Sequence, residues 1–357
     1  CSSNLPDLTI SPGQSTQATD HFNGVTYTGT GSAQDVVVGF KPDWLWIKNR
    51  GNTYNHVAYD SSRGALKRYE ISVNTTEAET AGSVTDFTAT GGGFSVGSEG
   101  AVNQSGYNIV AYAWKANGGT TTTNDASATS VGTIDSVYQA NQTAGFSMVL
   151  WTGTGSAGTI AHGLASAPTL IIVYSRTVAN SNMLGLTSIN GWTHYTAFPN
   201  ASGYSVSDST IWNNTAPTST VFSVGTADNV NKSSENYIAY CFHDVEGYSK
   251  FNVYKGNNNS NGTFIYTGFR PAWIMTKLST GSGNWYVNDT ARAIHNPTSS
   301  FGGNLYADSY NVESGNGMDI LSNGFKLRNS DSSQNNSGGV YFFMSFAEQP
   351  FKFSNAR

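Results

Sequence analysis

The sequence predicts an all-β protein made of three tandem β-sandwich units, jelly-roll-like and about 100 residues each. Composition is the first observation behind this prediction. Aromatic residues make up 13% of the 357 residues and charged residues only 11%. Charged residues reach roughly 25% in ordinary soluble domains, so serine, threonine, asparagine and glycine must supply the polar surface here. Such residues favour strands and tight turns over helices.

An internal repeat is the second observation. Four sequence landmarks occur three times in the same order. The first landmark is a glycine-containing run, found as YTGTGS (27–32), WTGTGS (151–156) and VYKGNN (253–258). The second is a proline with an apolar run, found as GFKPDWLWIKNR (39–50), APTLIIVYSR (167–176) and FRPAWIMTKLS (269–279). The last two are GFSVGSEG (93–100), VFSVGTAD (221–228) and GFKLRNSD (324–331), then IVAYAWKA (109–116), YIAYCFHD (237–244) and YFFMSFAE (341–348). The landmarks recur with a period of a little over 100 residues, which is the length of a whole domain. The repeat therefore predicts three copies of one domain.

Strand signals follow one another within each unit. In the first unit they are WLWIK after Pro42, then HVAYD (56–60), RYEISVN (68–74), FSVGS (94–98) and IVAYAWKA (109–116). These runs are short, rich in apolar residues and separated by Gly, Asn and Ser, which is typical of a β-sandwich. Proline suits the first residue of a strand, where no ladder N–H is needed.

The repeat also predicts domain boundaries. The units are expected at 24–116, 145–250 and 251–357, the last with a C-terminal extension. Residues 1–23 are polar and are predicted to be a linker. Residues 117–144 are predicted to be a second linker, because the stretch NGGTTTTNDASATS is rich in small polar residues.

Charge, apolar run length and cysteine content argue against nucleic-acid binding, membrane insertion and a disulfide framework. The net charge is −5 with no basic block, so we expect no nucleic-acid binding. Membrane insertion is not expected either, because no apolar run approaches the roughly 18 residues that span a bilayer. Two cysteines cannot build a disulfide framework. Cys1 leaves two interpretations open: the lipidated first residue of a bacterial lipoprotein, or a chance start of the sequence.

No catalytic residue, metal site or cofactor is predicted. The six histidines lack the spacing of metal ligands, and no G-x-S-x-G motif stands between a strand and a helix. Paired glycosidase carboxylates are brought together by folding rather than by spacing, so a depolymerase stays open as an alternative.

Two Asp–Arg pairs occupy matching positions in the first and third units. They are Asp60 with Arg63 and Asp289 with Arg292. An aspartate that ends a strand caps the following turn and pairs with an arginine three residues later, so we predict structural turn pairs. The second unit carries Leu186 and Ile189 at these positions.

Aromatic residues without clean alternation mark a part of the second unit that differs from the other two. The candidates for facing a glycan are Trp192, Tyr195, Tyr204 and Trp212, in the segment 186–214. Aromatic faces beside Asn and Asp are a means of holding sugars. The alternative is that most of these rings fill the core of the unit.

The chain resembles an uncharacterised C-terminal module of marine bacteriophage virion proteins of the tail-fibre or spike type. The stretches that carry the resemblance are NLPDLTI, YTGTGS, GFKPDWLWIKNR, NYIAYCFHDVEGYSKF and AEQPFKFSNAR. In that family the module follows concanavalin-like and SPRY-like domains.

The resemblance implies a phage virion structural protein on the particle surface that is not an enzyme. Its expected role is a tail-fibre or spike-type appendage that contributes to attachment to a host-surface glycan. Its expected partners are itself, as a homotrimer, and other virion proteins. The alternatives are a purely structural capsid or tail decoration protein, a bacterial surface lipoprotein adhesin and a polysaccharide depolymerase.

Overall fold

The protein is all-β, and the helices among its described residues are short and lie in the connections between strands. The structure, a computed structural model, describes residues 17–71, 80–81, 83–87, 91–177, 181–292, 303–315 and 317–348. Its strands are taken below in three segments, residues 17–116, 117–248 and 249–348.

The described part of the first segment contains nine strands and one short α-helix. They are β1 (Phe22–Thr28), β2 (Gln34–Val37), β3 (Trp44–Asn49), β4 (Val57–Asp60), β5 (Lys67–Glu70), β6 (Thr80–Ala81), β7 (Val84–Asp86), β8 (Gly93–Val96), α1 (Gly100–Asn103) and β9 (Asn108–Trp114). A 3₁₀ turn at Ala18–Asp20 precedes β1. The large sheet has the order β1-β9-β3-β4-β5-β6, and a small sheet has the order β2-β8-β7.

The second segment repeats this pairing and adds strands at one edge. Its elements are β10 (Thr122–Asn124), α2 (Ala126–Thr129), β11 (Ser136–Asn141), β12 (Phe146–Thr152), β13 (Gly158–Ala161), β14 (Leu170–Ser175), β15 (Asn182–Leu186), β16 (His194–Phe198), β17 (Val206–Ser207), α3 (Ser209–Trp212), β18 (Val221–Val224), α4 (Asp228–Asn231) and β19 (Asn236–Phe242), with a 3₁₀ turn at Gly191–Thr193. The large sheet runs β10-β11-β12-β19-β14-β15-β16-β17, and β13 pairs with β18.

Where the structure describes the third segment, it has one five-stranded and one three-stranded sheet. Its elements are β20 (Ser249–Lys255), β21 (Phe264–Tyr266), β22 (Pro271–Leu278), β23 (Tyr286–Asp289), β24 (Leu305–Tyr306), β25 (Met318–Leu321), β26 (Gly324–Leu327), α5 (Ser332–Asn335) and β27 (Val340–Ala347). The orders are β20-β27-β22-β23-β24 and β21-β26-β25.

Corresponding strands pair in corresponding register. Trp44 lies opposite Trp114, Leu170 opposite Phe242 and Trp273 opposite Phe346. On the next strand, these same residues face Asp60, Leu186 and Asp289. A residue of one segment can therefore be matched to residues of the other two by its place in the sheet.

A buried asparagine closes the same loop in each segment. Asn103, Asn231 and Asn335 end the helices α1, α4 and α5, and all three side chains are buried. In the first segment, Asn103 Oδ1 accepts the backbone N–H of Thr30 at 2.8 Å, and its amide donates to the carbonyls of Ser32 and Gly97. Asn231 and Asn335 make the same three kinds of bond. Each asparagine thus satisfies backbone groups of the loop that crosses from the large to the small sheet.

Both faces of each large sheet are buried at its inner strands. Every residue of β3 and β14 is buried, and so are all but the first of β9 and β19. One face packs on the small sheet of the same segment and forms a separate apolar core in each of the three segments. The continuous apolar runs in the sequence have this cause, because a strand covered on one face alone would alternate.

The opposite faces of the three large sheets meet in one central core. Its aromatic members include Phe22, Trp44, Trp46, Tyr112, Trp114, Phe146, Phe198, Tyr240, Phe242, Phe251, Trp273, Trp285, Phe342 and Phe346. The matched residues Trp114, Phe242 and Phe346 come together there. Ring centroids lie 5.6 Å apart for Trp114 and Phe346, and 5.8 Å apart for Phe242 and Phe346. Large rings in this contact bury much apolar area and join the segments into one body.

Both predicted linkers need correction within the described residues. Residues 117–144 contain β10, α2 and β11, and the two strands extend the second large sheet. Threonine suits strands, so a run of small polar residues here forms an edge strand instead of a linker. Residues 1–16 lie outside the described residues. Phe22 starts β1 and is buried in the central core, so the folded part begins before residue 24.

Candidate functional site

Two of the four predicted glycan-facing aromatic residues are core residues. Trp192 is 4% exposed and Trp212 is fully buried, and both belong to the apolar core between the two sheets of the second segment. Their rings meet edge to face with centroids 5.3 Å apart. The prediction that they face a glycan is wrong, because a ring enclosed in a core has no free face for a ligand.

The two tyrosines of the same prediction lie nearer the surface. Tyr195 is half-buried against the second segment's core, whereas Tyr204 is 51% exposed. Burial raises the pKa of Tyr195, and the nearby Asp208 and Tyr204 add to this effect. Of the four predicted rings, only Tyr204 presents most of its side chain to solvent.

The two Asp–Arg pairs cap turns in matching places. The backbone N–H of Arg63 donates to Asp60 Oδ1 at 2.9 Å, and that of Arg292 donates to Asp289 Oδ1 at the same distance. Each guanidinium also pairs with the second carboxylate oxygen of its aspartate. The side chains of both pairs are buried, so each charge is compensated inside the protein.

A tyrosine from another segment completes each pair. Tyr240 of the second segment donates to Asp60 Oδ2 at 2.9 Å, and Tyr112 of the first donates to Asp289 Oδ2 at 2.7 Å. Burial raises the pKa of both tyrosines well above 10, and the adjacent aspartate adds to it. These hydroxyls therefore stay protonated donors.

The matched position between the second and third segments is apolar on both sides. Met344 takes the place of Tyr112 and Tyr240, while Leu186 takes the place of the aspartates. Met344 and Leu186 both belong to the central core, as does Ile189 at the arginine position. The second segment thus lacks the Asp–Arg pair, and the residue that would donate a hydrogen bond to its aspartate is Met344 instead of a tyrosine. The aspartates hold sheets together and do not share a cleft.

Two side chains that could ligate a metal or act as a base or nucleophile, His56 and Cys241, are buried in the fold. Within the described ranges, no three His, Cys, Asp or Glu side chains come together as metal ligands. His56 is buried and accepts the indole N–H of Trp46 at 2.8 Å. Burial lowers the pKa of His56 well below 6.5, so its imidazole stays neutral in the core. Cys241 is likewise buried, and burial raises the pKa of its thiol.

A polar cavity of about 440 Å³ lies where the third large sheet meets the second segment. Its walls combine an aromatic ring, a carboxylate, two amides, two serine hydroxyls and a methyl group. The lining residues are Ala201, Asn284, Tyr306, Asp308, Ser309, Asn311 and Ser314. All but Ala201 come from the end of β24, the turn that follows it, or the residues before β23. No local sequence pattern predicts this site, because it is assembled by docking between segments.

Hydrogen bonds fix the cavity's main side chains. The Tyr306 and Ser314 hydroxyls lie 2.9 Å apart, and the rings of Tyr306 and Tyr286 have centroids 5.3 Å apart. Asp308 Oδ1 accepts the backbone N–H of Trp285 at 3.0 Å. Burial raises the pKa of Asp308, while its hydrogen bonds and the buried Lys277 oppose this.

The fold defines an all-β protein in which three large antiparallel sheets share one core. The chain belongs to a family described as a domain of unknown function (DUF7483), whose sequence model matches residues 17–350. That single match spans all three pairs of sheets. No curated protein and no solved structure matches the chain significantly. Among the described residues, no helix has the length and apolar character needed to cross a membrane.

Proposed function

We propose that the chain consists of three tandem copies of one jelly-roll-like β-sandwich unit that close around a common core. The shared strand order, the matched register and the repeated buried asparagine support this. The copies differ chiefly in connections and in the outer parts of the sheets. Matched residues then serve as scaffold, and recognition belongs to the parts that differ.

We propose that this scaffold is a phage virion structural protein, a tail-fibre or spike-type appendage that contributes to host-surface glycan attachment. The observation that carries the proposal is the central core, in which large aromatic rings from all three sheets pack together. A body closed in this way, in a chain with only 11% charged residues, suits a particle exposed to proteases and changing salt. The resemblance to phage virion modules points in the same direction.

A non-catalytic role is part of the proposal. The matched aspartates, the groups most suggestive of acid catalysis, are enclosed and neutralised by arginine and tyrosine. A glycosidase needs two carboxylates that face the same groove. Asp60 and Asp289 instead stand in separate sheets, at matching turns.

The proposed partners are other virion proteins and further copies of the chain as a homotrimer. Light scattering after gel filtration tests the homotrimer directly. A mass three times the 38.0 kDa of one chain supports it, and a monomer at all concentrations contradicts it.

Immunogold electron microscopy tests the function itself. Antibodies against the recombinant chain are applied to purified particles of the phage that encodes it, and we expect gold at the tail. Gold over the capsid supports a decoration protein instead. Absence of the chain from particles, by labelling and by mass spectrometry, contradicts the proposal.

A further inference from the structure

We infer that the cavity at Tyr306 and Asp308 binds a neutral saccharide. This inference rests on the proposed attachment function and adds the site and the class of its ligand. Its volume of about 440 Å³ falls within the roughly 300–1,000 Å³ of small-molecule sites.

The polar groups of the cavity match the hydroxyls of a sugar. The Asp308 carboxylate accepts hydrogen bonds, while Asn284 and Asn311 can both donate and accept. Ser309 and Ser314 add hydroxyls of the same mixed character. A sugar hydroxyl also donates and accepts, so several of them can be satisfied at once in this cavity. An apolar ligand would leave these groups unpaired at a cost.

Tyr306 supplies the flat apolar surface that the C–H face of a sugar ring needs. Its ring lies against Tyr286, and its hydroxyl contacts Ser314. Both contacts hold the ring in one orientation before any ligand arrives. Ligand binding therefore costs less conformational entropy than it would if the Tyr306 side chain were free to rotate.

The charge of the cavity selects against anionic sugars. Asp308 is the single charged residue among the lining residues, and it is acidic. Two lysines approach this region, and both are buried. Lys277 donates its ammonium hydrogens to the carbonyls of Leu278 and Gly281. Lys48 donates to the carbonyls of Asn49, Asn52 and Tyr310. A carboxylate or sulfate group in the cavity would meet a like charge without an exposed cation to offset it.

Docking between segments builds the cavity in advance. Trp285 donates its indole N–H to the carbonyl of Asn200 at 3.0 Å, and the N–H of Gly283 donates to the carbonyl of Ala201 at 2.8 Å. These bonds tie the wall from the second segment to the residues just before β23. The site therefore exists only in the fully assembled chain.

The cavity also lies in a part of the sheet that differs between segments. Tyr306 pairs with Tyr286 in register, and the matched pairs are Val57 with Glu70 and Met183 with Ala197. Neither Glu70 nor Ala197, the residues at the position of Tyr306, has an aromatic ring. Such divergence at one matched position is what a binding role in a single copy requires.

A glycan array with the labelled full-length chain tests the inference. We expect binding to neutral glycans and none to sialylated or sulfated ones. Tyr306→Ala and Asp308→Asn should each weaken binding of the best neutral glycan by roughly tenfold or more in titration calorimetry. Asparagine at 308 keeps the acceptor for Trp285, so the turn is retained. Tyr266→Ala, which removes a 59% exposed ring outside the cavity, is the matched control and should bind as the parent does.

Three outcomes overturn the saccharide site: no neutral glycan binds, anionic glycans alone bind, or both cavity variants bind like the parent. Near-UV circular dichroism of each variant verifies that it is folded. Gold-labelled tails without glycan binding would refute the saccharide site and leave the appendage proposal standing. Glycan binding by a chain absent from particles would do the reverse.

Discussion

Tyr240 donates a hydrogen bond to Asp60 across the boundary between two large sheets, with 2.9 Å between Tyr240 Oη and Asp60 Oδ2. The same kind of bond joins the first and third segments, where Tyr112 donates to Asp289 at 2.7 Å. At the third boundary, the matched residues are Met344 and Leu186. The donor and the acceptor are thus kept together or replaced together, as a direct contact between matched surfaces requires.

Tyr240→Phe removes only the hydroxyl at one boundary. Asp60 then loses a partner in a buried site, so we expect the free energy of unfolding to fall by about 1.5 to 3 kcal/mol. Urea denaturation measures this change. Tyr112→Phe is the matched variant and should cost a similar amount, whereas a loss below about 0.5 kcal/mol in both would show that neither bond matters.

Leu186→Asp places a charge at the apolar boundary. We expect it to destabilise the protein by about 3 to 5 kcal/mol, because the new carboxylate has no tyrosine or arginine partner. Adding Ile189→Arg and Met344→Tyr supplies both, and should restore at least about 2 kcal/mol of the loss. A triple variant less stable than the single one would contradict the matching of the three boundaries.

Two buried lysines give the protein a particular pH dependence. Burial lowers the pKa of Lys48 to about 8, with Glu313 opposing, and that of Lys277 to about 8, with Asp308 opposing. Lysine in the unfolded chain titrates near 10.4, so the unfolded state binds more protons between about pH 8 and 10. Stability should therefore rise over that interval, by about 1 to 3 kcal/mol per lysine.

Above about pH 10 the sign reverses. Tyr112 and Tyr240 keep their protons in the fold, while tyrosines of the unfolded chain ionise near 10. The folded state then binds more protons, and stability falls. Urea midpoints between pH 7.5 and 11 measure both limbs. Lys48→Met should reduce the rise by about half, and a midpoint that falls steadily from pH 8 would disprove this assignment.

Of the four aromatic residues predicted to face a glycan, Trp212 lies in the core and Tyr204 lies at the surface. Trp212→Ala should cost about 3 to 5 kcal/mol because a fully buried ring is lost from the second segment's core. Tyr204→Ala should change stability by less than about 0.5 kcal/mol. Thermal melting compares the two, and equal effects would contradict the burial described for them.

Composition and the repeat were sufficient to predict an all-β chain. The central core was harder to predict, although the sequence carries a sign of it. WLWI around Trp46 and IVAYAW around Tyr112 are continuously apolar, as in strands covered on both faces, yet a lone sandwich leaves one face of each sheet to water. The error at residues 117–144 came from composition, since threonine suits edge strands as well as linkers.

The candidate site shows the same limit. Trp192 and Trp212 carry the strongest local signal for sugar binding, and both are enclosed in a core. Tyr306 and Asp308 stand in an ordinary stretch of sequence, and they become part of a cavity only when Ala201 is brought beside them. Contacts between distant segments leave no spacing pattern that a single sequence can reveal.

Hydrogen exchange across a urea series tests most directly whether the three sheets form one cooperative body. Mass spectrometry follows peptides from β9, β19 and β27, which are inner strands of the three large sheets. We predict that all three lose protection at the same urea concentration, because each strand lines the common core. Loss of protection in one strand while another stays protected at higher urea would show independent domains and contradict the account.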